Sequence, residues 1–130
     1  MTVSPNPVLA ASPFPGILHA TLAGSEQGLK QLSVWQQILE PGAATPPHRH
    51  DCEEVVLCSA GRGELQFFDQ QGGNRKLSFG AHQTVCIPRN ALHQLVNSGS
   101  SPLHLIAVFS KSPVEVYLPD GQPVALPWTS

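Results

Sequence analysis

The 130-residue chain carries seven basic and nine acidic side chains, a formal charge of −2, with charged residues at 12%. That balance offers no basic face for nucleic acid and no polybasic patch for a membrane surface, and it leaves a small molecule as the expected partner. The length suffices for one sizeable core and no second, which predicts a single domain.

Residues 1–16 contain four prolines and read as an irregular arm ahead of a domain spanning 17–130. They lack the charged segment and continuous apolar stretch of a secretory signal, and no run reaches about 18 apolar residues, so a cytoplasmic protein without a membrane span is expected. Thirteen prolines and eleven glycines, with few sustained helical periodicities, predict short strands joined by turns.

Strands are expected over 17–22 and 29–39, the second ending at the turn Glu40, Pro41, Gly42. After a histidine-rich stretch, strands are expected over 54–59, closed by Gly61 and Gly63, and over 64–69. A loop at Gly72 and Gly73 leads to 76–79, then to Thr84–Ile87 ahead of Pro88, and to 91–96. A turn over 98–102 precedes the apolar stretch Leu103–Phe109, and 114–118 with 124–126 read as a closing hairpin around Pro119, Asp120 and Gly121. About ten short strands in so small a chain predict an all-β barrel or jelly roll, because closure removes exposed strand edges. Cys52, Cys58 and Cys86 are an odd number without an export signal, which predicts reduced thiols.

His48, His50 and Glu54 fall within seven residues, and His93 follows at a distance. Imidazole and carboxylate together suit a divalent transition metal. In extended chain His48 and His50 share a face, with Cα atoms roughly 6.6 Å apart, close enough to converge on one ion. In an unbroken strand Glu54 would lie roughly 20 Å from His48, against metal–ligand bonds of about 2.0–2.2 Å, so the chain must turn at Asp51, Cys52 and Glu53. Four protein donors on an ion that accepts five or six ligands leave an open position.

The order Gly42, five residues, His48, one residue, His50, three residues, Glu54, six residues, Gly61 resembles the first signature motif of the cupin superfamily. Pro88, Asn90, His93 and Asn97 resemble the second. The resemblance implies a cupin-type jelly roll and assigns His48, His50, Glu54 and His93 as the metal ligands. Asn90 replaces a motif glycine and is the residue best able to keep its positive φ. His82 replaces the opening glycine, which predicts a short bulge before the next strand.

The ion, whether iron, manganese, nickel, copper or zinc, is not fixed by such donors. An apolar wall is expected from Val56, Phe67, Phe68, Leu95, Ile106 and Phe109, and Gln37, Glu64, Gln66 and His104 are candidates for positioning substrate or moving protons. Cys52 reads as a small buried residue, and His19 and His82 as surface or loop residues. The expected function is a metal-dependent enzyme, either a dioxygenase-like oxidoreductase or a metal-assisted isomerase or lyase, acting on a small oxygen-bearing molecule. The alternative is a non-catalytic metabolite-binding or sensing module. A metal-free sugar-nucleotide epimerase is disfavoured by the intact donor quartet. The resemblance also implies a homodimer.

Overall fold

The computed structural model describes residues 1–69 and 71–130. Nine strands are formed among them, β1 (Ala10–Ala11), β2 (Ile17–Ala23), β3 (Ser33–Leu39), β4 (Glu54–Ala60), β5 (Arg62–Phe68), β6 (Asn74–Gly80), β7 (Thr84–Ile87), β8 (His93–Asn97) and β9 (Leu103–Phe109), with one 3-10 turn at Ser25–Gln27. All pairings are antiparallel: a six-stranded sheet ordered β1-β2-β3-β9-β4-β7 lies with a three-stranded sheet ordered β6-β5-β8. Both contribute to one apolar cluster, with Leu39, Val56, Leu103 and Phe109 from the larger sheet and Leu65, Phe79 and Leu95 from the smaller. This is the two-sheet jelly roll that many short alternating strands favour.

The alternation is cleanest in β9, where Leu103, Leu105, Ala107 and Phe109 are buried and the residues between them are half-buried. Pairing β3 with β9 and β9 with β4 carries the same parity across the sheet, so Trp35, Ala107 and Val56 form one inward row. Each fully buried side chain of this kind contributes on the order of 1.5–3 kcal/mol.

Several boundaries differ from expectation for local reasons. β3 begins at Ser33, not 29, because Gly28 closes the 3-10 turn in the left-handed region (φ 81°) and Leu29 and Leu32 stay exposed. β8 begins at His93, since Asn90 takes φ 64° and Ala91 closes that turn onto the Pro88 carbonyl. His82 adopts φ 67°, so the residue replacing the motif glycine takes the glycine's conformation, and the β4–β7 ladder runs without a register shift. The expected closing hairpin forms as a short pairing and not as two strands: Leu118 N–H donates to the Gln122 carbonyl at 2.9 Å and Val124 N–H to the Val116 carbonyl at 2.8 Å. Tyr117 makes single bridges to Arg49 and to Pro123, and prolines at 113, 119, 123 and 127 withhold the donors a strand pair needs. At the other end, Ala10–Ala11, inside the stretch read as an irregular arm, pairs with β2 opposite Leu18 and His19. Among the described residues no helix is long and apolar enough to cross a membrane.

Gly61 makes the β4–β5 turn with φ 91°, and a Cβ there would stand 2.6 Å from the Pro102 carbonyl oxygen and 2.9 Å from the Leu103 Cα. Strained φ and backbone overlap act together, so Gly61→Ala is expected to cost about 2–4 kcal/mol. The check is the urea midpoint at unchanged slope, and a midpoint equal to the parent's would show that the turn relaxes freely.

Candidate metal centre

The two motifs meet through the backbone. His48 N–H donates to the His93 carbonyl and His93 N–H to the His48 carbonyl, each at 2.9 Å, which makes the pair a narrow antiparallel bridge. Asn90 N–H donates to the His50 carbonyl at 2.8 Å and fixes the neighbouring turn. The chain bends at Asp51 and Cys52 before Glu54 opens β4. Glu54 thereby returns to the histidines: its Oε1 lies 3.2 Å from His93 Nε2 and 3.6 Å from His50 Nε2. The ligating nitrogens of His48, His50 and His93 lie within 4.8 Å of one another. All four side chains are buried.

Proton positions follow from the hydrogen bonds. His48 Nδ1 is 2.7 Å from the Pro46 carbonyl, His50 Nδ1 2.8 Å from the Glu115 carbonyl, and His93 Nδ1 2.9 Å from the Ala91 carbonyl. A carbonyl only accepts, so each Nδ1 carries a hydrogen, and in that tautomer a neutral ring turns its Nε2 lone pair inward. Burial lowers the His48 pKa to about 3, with His93 and His50 adding to the effect, and burial likewise holds His50 below its ordinary value. Burial opposes ionisation of Glu54, but the approach of His93 and the charge the imidazoles can carry outweigh it and keep this carboxyl below its usual range.

An ionised Glu54 beside inward lone pairs needs a positive charge between them. Glu54 Oε1 and His93 Nε2 are both buried without a hydrogen-bond partner, although buried polar atoms are rarely left so. The donors fit a divalent cation: two ligands on bonds of about 2.1 Å stand roughly 3.0–3.5 Å apart, near the observed Glu54 separations. The backbone carbonyls behind the three rings supply the outer hydrogen bonds that fix imidazole ligands in orientation.

In chelated protein the same burial gives a pH dependence. His48 takes up a proton near pH 6.5 when unfolded and near 3 when folded, so the unfolded chain binds more protons across that window. Stability is expected to be full above pH 6.5 and to fall as pH drops toward 3. A thermal midpoint that is flat from pH 7 to pH 4 with chelator present would contradict this.

Above the cluster lies a cavity of about 40 Å³, walled by Phe14, Trp35, Phe109, Leu126 and Trp128, with Gln37 as a polar member. Phe14, Leu126 and Trp128 come from the chain ends and carried no sequence signal for a site. Of the polar candidates, Gln37 is inward on β3 and lines the cavity. Glu64 and Gln66 have the outward parity of β5, where Gln66 Nε2 donates to Glu64 at 2.7 Å, and His104 faces outward on β9 opposite Ile38. Of the expected wall, Leu95 and Phe109 line the cavity and Val56 is core. Phe67 packs partly on the core, whereas Phe68 is exposed and Ile106 lies on the outer sheet face. Cys52 is buried in the core, Cys58 is buried and Cys86 exposed, all three as free thiols. His82 sits in its turn. His19, expected at the surface, is instead 6% exposed because its β2 parity faces inward.

Residues 8–130 match the family model described as auxin binding protein. The chain is 36% identical over 109 residues to auxin-binding protein 1 of Arabidopsis thaliana, covering 80% of this chain and 55% of that protein. It is 36% identical over 112 residues to auxin-binding protein T85 of Nicotiana tabacum, covering 81% and 60%. The chain therefore spans somewhat over half the length of these relatives. Among solved structures, oxalate decarboxylase from Bacillus subtilis superposes with a TM-score of 0.68 at 23% identity, over 75% of this chain and 26% of that one. The fold is that of the cupin superfamily.

Proposed function

The chain belongs to the auxin-binding protein family, and from that premise we propose that it is a metal-centred binding protein for a small organic acid. His48, His50, Glu54 and His93 hold one divalent transition ion, and the aromatic wall receives the rest of the ligand. The observation that carries this reading is the pair of orphaned buried atoms, Glu54 Oε1 and His93 Nε2, 3.2 Å apart, with Glu54, His48 and His50 lining an aromatic cavity. A bound cation supplies Lewis-acid attraction for a ligand oxygen, which the dry aromatic surroundings strengthen. The names of the relatives point to a ligand of the auxin type.

Binding is favoured over catalysis by the cavity wall. Glu64, Gln66 and His104 face away from it, and Gln37 does not titrate, so beyond the quartet the wall offers no group to move a proton. The oxidoreductase reading, dioxygenase-like or isomerase or lyase, keeps the same quartet and its open position. Oxygen uptake or turnover of a diketone, flavonol, thiol or keto acid by metal-loaded protein would establish it.

A cavity of about 40 Å³ has room for only a couple of water molecules, so a ring-bearing acid must displace part of the wall formed by Leu126 and Trp128. Titration calorimetry with indole-3-acetate, an auxin, tests the reading. Saturable binding is expected in metal-loaded protein and none after chelation, and equal binding in both would sink the metal's role.

The assembly proposed is a homodimer. The outer face of the larger sheet carries Val34, Val108, Val55 and Cys86 in one row, with Ile106 and Leu57 between Gln36 and Thr84 in the next, an apolar stripe on a face that antiparallel sheets otherwise keep polar. A sedimentation mass of one chain would exclude it. The free thiols suit the reducing cytoplasm, which is the proposed location.

A further inference from the structure

His19 is the one buried imidazole outside the metal quartet, and it touches three residues of the cavity wall, Trp35, Gln37 and Trp128, without itself lining the cavity. Its ring stacks on Trp128 with centroids 3.7 Å apart and planes 16° from parallel, and meets Trp35 edge-on at 5.0 Å. Gln37 Nε2 lies 3.1 Å from His19 Nδ1, and Thr21 Oγ1 lies 2.9 Å from His19 Nε2. The Gln37 amide nitrogen can only donate, so Nδ1 is the acceptor, and the ring hydrogen sits on Nε2 and is donated to Thr21. Burial takes the His19 pKa down to about 4, so this neutral tautomer persists at physiological pH.

The wall that His19 holds is unsatisfied. Trp35 Nε1 and Trp128 Nε1 are buried N–H donors without an acceptor, and both indoles line the cavity. Gln37 spends one N–H on His19 and has another to give. Buried indole N–H groups usually find a partner, and a ligand oxygen that shifts the wall enough to reach them would provide one. An apolar acid would leave these donors bare.

We propose that His19 is a positioning residue that fixes Trp128 and Gln37 so that the cavity wall offers N–H donors to a second oxygen of the ligand. The ligand class is therefore a small carboxylic acid with a neutral oxygen acceptor, such as an oxo acid, beyond the carboxylate that reaches the metal. This rests on the metal-centred reading above. His19 acts on the ligand only through its neighbours.

The test compares 4-oxopentanoate with pentanoate, acids of equal chain length, in metal-loaded protein. One or two hydrogen bonds of about 0.5–1.5 kcal/mol each correspond to roughly tenfold tighter binding of the oxo acid by the parent. In Trp128→Phe, which keeps the ring and loses the N–H, the preference is expected to shrink severalfold. His19→Phe keeps a ring on Trp128 but gives Gln37 no acceptor, whereas His19→Asn restores an acceptor near the Nδ1 position without the stacked ring. Each is expected to retain metal at the parent level and to recover only part of the preference.

A parent that binds both acids equally leaves the metal-centred reading standing and overturns this inference. So does a His19→Phe or His19→Asn variant that keeps the parent's full preference. A metal-loaded parent that binds neither acid, nor indole-3-acetate, removes the metal-centred reading and the inference together. Should the His19 variants not fold, the Trp128→Phe ratio decides alone, and an unchanged preference there overturns the proposal.

Discussion

Replacement of His93 by alanine is expected to abolish stoichiometric metal while leaving the barrel folded. His93 faces Glu54 Oε1 at 3.2 Å and sits with His48 and His50 in the group able to hold one ion. Losing merely an outer-shell partner of a ligand typically costs 10–100-fold in metal affinity, so losing a ligand should cost more than about a hundredfold. The backbone bridge to His48 uses N–H and C=O groups that alanine keeps, so the two motifs stay paired. The cavity left is lined by polar atoms and can admit water, which limits the loss of stability. Elemental analysis of untagged parent and variant, each re-equilibrated with the same metal buffer, provides the measurement. Equal occupancy in both would place the ion elsewhere.

The second large effect has opposite signs with and without metal. Glu54 is 5% exposed, and its carboxyl Oε1 lies 3.2 Å from His93 Nε2 and 3.6 Å from His50 Nε2, with no hydrogen-bond partner of its own. Glu54→Gln removes the buried charge and can turn an amide N–H toward His93 Nε2, which satisfies both orphaned positions. The chelated variant is expected to be more stable than the chelated parent by about 1–3 kcal/mol. With metal the order reverses. At a free concentration a hundred times Kd, a bound ion stabilises the parent by about 2.7 kcal/mol, on the order of 10 °C in Tm for a chain of this size. The variant, having lost the anionic ligand, should gain little. Scanning calorimetry of both proteins in chelator and in metal gives the four values needed. A variant less stable than the parent in chelator would mean that the quartet is comfortable without a cation, and the argument from its orphaned atoms would fail.

The parts of the site legible in the sequence are those written within a few residues. His48, His50 and Glu54 are tied by covalent spacing, and the bend at Asp51 and Cys52 was required by that spacing alone. The positive φ of Asn90 and Gly61 follows from residue type at a turn. Thr84–Ile87 and Leu103–Phe109 were readable to the residue because each is an unbroken β-favouring run. The polar candidates were less legible. Gln37, Glu64, Gln66 and His104 have similar local surroundings in the sequence, yet one faces the cavity and three face away.

The amino-acid sequence by itself determined a β-rich chain with two clusters of donor residues, since turn chemistry and ligand spacing are short-range properties of the backbone. Tertiary structure alone decided which face of each strand is inside, because parity becomes a direction only once β3 is in register with β9 and β9 with β4. It also decided that His19 is buried, that Phe14 and Trp128 from opposite chain ends close the cavity, and that three ring hydrogens rest on distant or turn carbonyls. Those contacts join residues tens of positions apart, and no local preference encodes a partner that only the folded chain brings within reach.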